Sequence, residues 1–226
     1  MTHITILKDN DIMLFNSPIR FSEEDRIQFF TLPTDSDSME FKQIHTKIGY
    51  ILQRGYFLSQ QKFFLPGQFL DEDIEYVTKL CGVTRYIDIK KLYNKSAYSR
   101  WKRFILKKYG YCPFSSYRDL LENEARELVK SSSKPKEIFY ALVDYLIERK
   151  VEIPRYFIFA EVITKSLNIF ESDLIKIIDK ALTPEQKSML DGFMNLPVDN
   201  SLELSAKNPY LITYLKKLNN QLLPER

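Results

Sequence analysis

Glycine is scarce in this chain, at 6 of 226 residues. No hairpin signal appears, in the sense of an Asn-Gly or Asp-Gly pair set between alternating apolar runs. Apolar residues instead recur with a period near 3.6 almost throughout. An all-α fold is therefore expected, with at most a short extended piece near residues 4–15. Cysteine is nearly absent. Cys81 and Cys112 stand alone, without C-x-x-C or H-x-x-H partners, so no zinc site is expected and both read as reduced, half-buried thiols. The two histidines, His3 and His45, lack acidic or cysteine neighbours at ligand spacing; His45 is expected to cap or pack near a helix start. No stretch approaches the ~20 apolar residues of a membrane span. Met1–Lys8 has no basic region leading into an apolar run, as a signal peptide would. A soluble, intracellular protein follows as the expectation.

Catalytic patterns are missing as well. No Gly-rich phosphate loop exists, and Leu65-Pro66-Gly67 reads as a turn. The acid pairs Asp71/Asp73, Glu122/Glu124 and Asp173/Asp179 fit helix starts and solvated faces. Serine and cysteine nucleophiles lack a placed histidine. No catalytic residue, metal ligand or cofactor is expected, and the chain alone is not expected to be an enzyme. What it does contain is a packed core: 44% hydrophobic and 14% aromatic residues exclude low-complexity disorder.

Acidic residues are missing from one place in particular. Between Tyr76 and Arg118 there are eleven Lys and Arg and a single acid, Asp88. Residues 1–75 hold 7 bases and 12 acids, and residues 119–226 hold 15 and 17. The formal charge of +3 thus hides one strongly basic segment. Such a patch meets a polyanion by releasing its counterions, so nucleic acid is the first partner to consider.

Helix signals punctuate the chain. Ser22-Glu-Glu-Asp25 has capping-box-like spacing, and Pro33 closes the segment it opens. A short helix is expected around Met39, Phe41 and Ile44. A longer one follows, about Thr46–Gln60, with Ile48, Ile51, Leu52 and Leu58 on a buried stripe and Gly49 and Gly55 at close approaches. Phe63–Phe69 is an aromatic loop. Asp71-Glu72-Asp73 starts a helix to Leu80, ended by Gly82. Further helices are expected at about 85–93, 96–108, 116–131, 135–150, 155–168 and 171–181. Thr183-Pro-Glu-Gln186 opens another to about Asn195, and Asn208-Pro209 opens a last one to about Leu222. A domain boundary is placed near Pro113–Tyr117.

The segment Asn94–Tyr111 rewards a helical wheel. Tyr98, Trp101, Phe104 and Ile105 share a core-facing stripe, with Leu106 at its edge. Arg100, Arg103 and Lys107 fall at i, i+3 and i+7 and form a basic stripe, with Lys95 and Lys102 beside it. One apolar and one basic face fit the second helix of a helix-turn-helix-like unit. Two other readings stand beside this one: an ordinary solvated face, and a surface for an acidic protein or a membrane. The near absence of acids argues against the first, because soluble helices usually interleave Glu with Lys.

In order and spacing, several blocks resemble the amino-terminal part of the Tn-three family of replicative transposases. They are Phe21–Pro33, Ile48–Phe57, Phe63–Phe69, Val77–Val83 and the basic helix ending in Tyr109-Gly-Tyr-Cys-Pro-Phe114. Ala125–Val129, Val151-Glu-Ile-Pro154 and Leu182–Gln186 with Leu190-Asp191 continue the similarity, which covers roughly residues 20–194. The resemblance implies sequence-specific binding of double-stranded DNA at transposon terminal inverted repeats. The catalytic domain of such a transposase would lie beyond residue 226. Implied partners are the transposon ends, the remainder of the transposase and a second transposase copy, with no membrane, in a prokaryotic cytoplasm at the nucleoid. Two tandem helical subdomains are implied: 1–113, holding the basic helix, and 114–226, which would share DNA binding. Candidate DNA-binding residues are Arg85, Lys90, Lys91, Lys95, Arg100, Lys102, Arg103, Lys107, Lys108 and, where Pro154-Arg155 opens a helix, Arg155. The family often carries a histidine inside the basic helix. This chain has Trp101-Lys102 there, so that histidine's role does not carry over. The alternative is a helical assembly module that docks an acidic partner.

Overall fold

The computed structural model describes residues 5–33, 41–132 and 134–194. They form α1 (Asp9–Asn16), α2 (Glu23–Phe29), α3 (Ile44–Gln60), α4 (Asp71–Leu80), α5 (Ile89–Leu92), α6 (Lys95–Tyr109), α7 (Arg118–Ser131), α8 (Pro135–Glu148), α9 (Tyr156–Ala181) and α10 (Pro184–Met194). Among the described residues there is no strand, and one isolated parallel bridge joins Cys112 to Val151. The fold is all-α. The chain divides into two compact units, Met1–Leu174 and Ile175–Arg226.

Two buried clusters build the first unit. The first is centred on α3, which packs against α2, α4, α5 and α6. Every residue from Ile48 to Phe57 is buried, as expected of a helix surrounded by others. Glycine makes this possible at two points. A methyl on Gly49 would collide with the Tyr93 ring, and one on Gly55 with the Phe30 ring. Leu58, expected on the buried stripe, is exposed.

Several polar groups inside this cluster are bonded across its helices. Asp73 is fully buried, so its place on a solvated face is overturned. It accepts from Arg26 Nε at 2.8 Å and from Tyr56 OH at 2.6 Å, tying α2 and α3 to α4. Gln53 donates to the Tyr98 carbonyl at 3.2 Å and accepts from Tyr93 OH, tying α3 to the segment of α5 and α6. Arg54 donates to the Thr31 carbonyl and hydroxyl.

The second cluster joins α7, α8 and α9 to the beginning of the chain: Ile6 and Leu7 are buried in it, and Ile12 and Phe15 pack against it. The expected extended piece at residues 4–15 is therefore, from Asp9, a helix. An eight-residue helix is marginal alone. Phe15 holds it in place, edge-on to Phe139 at 5.0 Å and to Phe159 at 5.9 Å. The two helices expected at 155–168 and 171–181 are one continuous α9. No proline or glycine interrupts it, and Leu167 and Phe170 carry the inward stripe past Ser166.

A polar seam joins the clusters. Gln61 closes α3 in the left-handed region (φ 53°), and its carbonyl accepts from Ile153 N at 2.9 Å. Lys62 Nζ donates to the Phe15 carbonyl at 2.6 Å, over the Phe15 ring. Asn16 accepts from Gln68 through its carbonyl and from Tyr156 N through its side chain.

The helix around Met39, Phe41 and Ile44 is not formed where it is described: Phe41 is irregular and Ile44 opens α3, while Met39 lies outside the described residues. In the second unit, Thr183 and Gln186 cap α10 reciprocally, and Lys187 pairs with Asp179 at 2.7 Å. The helix expected from Asn208 lies outside the described residues. No described helix is long and apolar enough to cross a membrane.

Candidate nucleic-acid interface

Helix α6 is defined at both ends by its sequence. The Asn94 side chain accepts from Ala97 N at 2.9 Å and starts it. Gly110 stops it at φ +69°, where Tyr111 N donates back to the Leu106 carbonyl at 2.8 Å. The apolar face points inward. Trp101 is 8% exposed, and its ring lies 5.2 Å from Tyr50 and 5.1 Å from Phe41. Ile105 and Leu106 are buried beside it, and Tyr98 and Phe104 are half-buried. Burial pushes the Tyr98 hydroxyl above its usual titration range. Trp101 is thus a packing residue, as its place on the wheel predicts.

Arg100, Arg103 and Lys107 are exposed on the other face. Among the described residues no carboxylate pairs with any of them; Arg100 lies over the Trp101 ring, 4.9 Å from its centroid. Lys95 opens the helix, and its first turn carries no acid. Helix dipoles favour acids at that end. α6 forgoes that stabilisation and keeps its outer surface purely cationic.

The other candidate residues divide. Arg85, Lys91, Lys95 and Lys108 are exposed. Lys90 is paired with Asp71 at 2.7 Å. Lys102 is half-buried, joined to Glu152 and 5.0 Å from the Phe63 ring centroid, so it binds α6 to the segment before α9. Arg155 is exposed in that segment, with Nη2 3.3 Å from Gln68 Oε1. The structure thus places Lys95, Arg100, Lys102, Arg103, Lys107 and Lys108 on one helix; Lys102 is tied to Glu152, and Lys90 pairs with Asp71 at the surface.

The bases of α7–α9 are held differently. Glu122 is the hub for Lys165 at 2.8 Å, Arg118 at 3.6 Å and Arg126 at 3.9 Å. Arg118 also meets Glu161 at 2.6 Å, and Lys130 pairs with Glu127 at 2.7 Å. These contacts, that of Lys165 first, hold the Glu122 carboxyl below its ordinary value.

Residues 6–166 match the family described as Domain of unknown function (DUF4158). The chain belongs to this family. A search of the curated proteins finds no match. The DUF4158 region takes in both buried clusters and the whole of α6, and it ends within α9. Among its described residues no group of three or more His, Cys, Asp or Glu is placed to hold a metal ion.

Sequence reasoning missed two features of this DUF4158 region. One is the buried role of Asp73, masked by its place in an ordinary acidic helix start. The other is Tyr86, which stands 89% exposed next to Arg85. The expected helix at 85–93 hid it: the helix begins only at Ile89, after the Asp88 cap, and leaves Arg85 and Tyr86 in a loop.

Proposed function

We propose that this DUF4158 chain binds double-stranded DNA through the outer face of α6, as the DNA-recognition part of a Tn-three family transposase whose target is the element's terminal inverted repeats. The observation that carries the reading is the stripe Arg100–Arg103–Lys107, exposed on a helix whose opposite face is locked into the core by Trp101 and Ile105. A rigid helix of this kind suits the major groove. Arginine forks can read guanine edges, and lysines supply salt-dependent phosphate contacts. The order of sequence blocks over residues 20–194 supports the transposase context, as does the occurrence of DUF4158 in Tn-three family transposases. Strand cleavage would belong to a catalytic domain outside this chain.

The test is a titration of the inverted-repeat duplex with the wild-type chain and with Arg100→Ala/Arg103→Ala/Lys107→Ala. The triple variant should bind about a hundredfold more weakly, each lost contact costing on the order of 1 kcal/mol or more. The dependence of affinity on salt should flatten. Unchanged affinity, or equal binding of wild type to a scrambled duplex, would defeat the assignment. Circular dichroism should show the variant fully helical, because none of the three side chains is buried.

A further inference from the structure

The loop between α4 and α5 is fixed at both ends and displayed in the middle. Gly82, at φ +71°, ends α4, and Val83 N donates to the Thr78 carbonyl at 3.2 Å. On the far side Ile87 packs against the first cluster and Ile89 is buried in it. Asp88 accepts from Lys91 N at 3.2 Å and starts α5. Thr84, Arg85 and Tyr86 form the tip between these anchors, and all three are exposed. At 89% exposure Tyr86 is the most exposed large hydrophobic side chain among the described residues, in a cluster that buries Tyr50, Tyr56 and Tyr93.

Charges around the tip are mostly spent. Lys79 pairs with Glu75 and Lys90 with Asp71, each at 2.7 Å, and Asp88 is engaged in capping. Arg85 has no carboxylate partner among the described residues. The tip borders an open groove of about 900 Å³ that Arg85 and Tyr86 line together with Ile74, Thr78, Val83 and Ile87. In sequence the tip directly precedes α5 and α6.

We infer that Arg85 and Tyr86 form a contact arm that enters the minor groove flanking the site of α6, the guanidinium against the groove floor and phosphates and the phenol ring against the sugar wall. Short basic arms beside a recognition helix work in this way, because the narrow groove concentrates negative potential. Tyrosine adds apolar contact without closing off the hydroxyl. The inference rests on the DNA-binding reading of α6, and its test separates the two.

The full 226-residue chain and its Arg85→Ala/Tyr86→Ala variant are titrated with the inverted-repeat duplex, with and without a small minor-groove ligand such as netropsin, and footprinted with hydroxyl radical. The arm predicts about a tenfold weaker Kd for the double variant. It also predicts lost protection at one flank with the central protection kept, and competition by netropsin for wild type but not for the variant. Wild-type affinity and an unchanged footprint would overturn the arm, including the case where the variant loses binding to a protein instead. If the α6 triple variant binds normally, the DNA reading itself fails. If the α6 variant is weak and the double variant is not, the arm alone fails. Melting temperatures should match, since neither side chain supports the core.

Discussion

The two clusters of the first unit handle charge in opposite ways. The cluster around α3 takes polar groups inside: Asp73, Gln53 and Arg54 are buried and bonded, while Arg100, Arg103 and Lys107 on the outer face of α6 meet no carboxylate among the described residues. The cluster of α7–α9 has an apolar interior, with Ser166 its buried polar residue among those described, and matches many of its surface bases to acids. Matched surface charges contribute little individually and leave no net field. Unmatched ones raise the potential near the protein and cost some stability through self-repulsion. The difference separates a surface that is merely solvated from one that is prepared for a polyanion.

The comparison can be broken first from the inside. Asp73→Asn leaves Arg26 and Tyr56 facing an uncharged amide in the core of the first cluster. Removing one partner of a buried ion pair typically costs about 3–5 kcal/mol. A chemical denaturation curve should show a loss toward the lower end of that range, because Arg26 keeps Glu72; Arg26→Met should lose more, since it leaves the fully buried Asp73 carboxylate without its cation. A change within error would mean that the internal polar ties are incidental to this half.

Next comes the outer face. The α6 triple substitution should reduce DNA affinity about a hundredfold. Lys130→Ala/Lys134→Ala/Lys165→Ala, three bases whose partners are Glu127, Glu137 and Glu122, should change it by no more than about twofold. Equal losses would show that DNA senses total charge, and that pairing on α7–α9 makes no difference.

Much of this contrast is written locally in the sequence. Ser22 with Asp25, Asn94 and Gly110 mark helix ends by chemistry that acts within a few residues. The wheel of α6 is visible because one helix carries both of its faces. Long-range placement is not local. Nothing near Ile6 and Leu7 says that they are buried beside Phe159, and nothing near Asp9–Asn16 says that Phe15 will find Phe139. Asp73 reads as one more acid in a helix start until α2 and α3 bring Arg26 and Tyr56 to it. The pairing of Lys102 with Glu152 is hidden for the same reason.

The seam between the clusters gives a smaller, pH-dependent effect. Lys62 is buried against Phe15, and burial brings its ammonium down to about 7. The charged group sharing its small pocket is Arg155, also a base, and Glu152, in the same segment as Arg155, is paired with Lys102. An ammonium folded at about 7 and ordinarily at 10.5 disfavours the native state while it is charged. The full penalty therefore applies below about pH 7, and stability rises as pH climbs toward 10.5, where the unfolded chain holds the extra proton. The melting temperature of wild type should rise by several degrees over that window relative to Lys62→Met. Parallel curves would place the Lys62 proton elsewhere.

The finest test adds charge to the neutralised half. Glu122→Gln removes the shared partner of Lys165, Arg118 and Arg126, with Arg118 keeping Glu161. Two bases are then released on α7 and α9 without adding a single cation. If pairing is what silences this surface, the variant should gain weak, salt-sensitive affinity for random duplex, about two- to threefold at low salt and lost at physiological salt, because one or two added phosphate contacts give a shallow slope. The same substitution should remove an acid-side contribution to stability. The Glu122 carboxyl is held below its ordinary value, so its contribution is present above about pH 4.5 and fades as pH falls through the lower folded value. A variant with new DNA affinity but an unchanged acid limb would separate the two roles of Glu122. A variant with neither would mean that the α7–α9 surface is quiet because of its shape and not because its charges are matched.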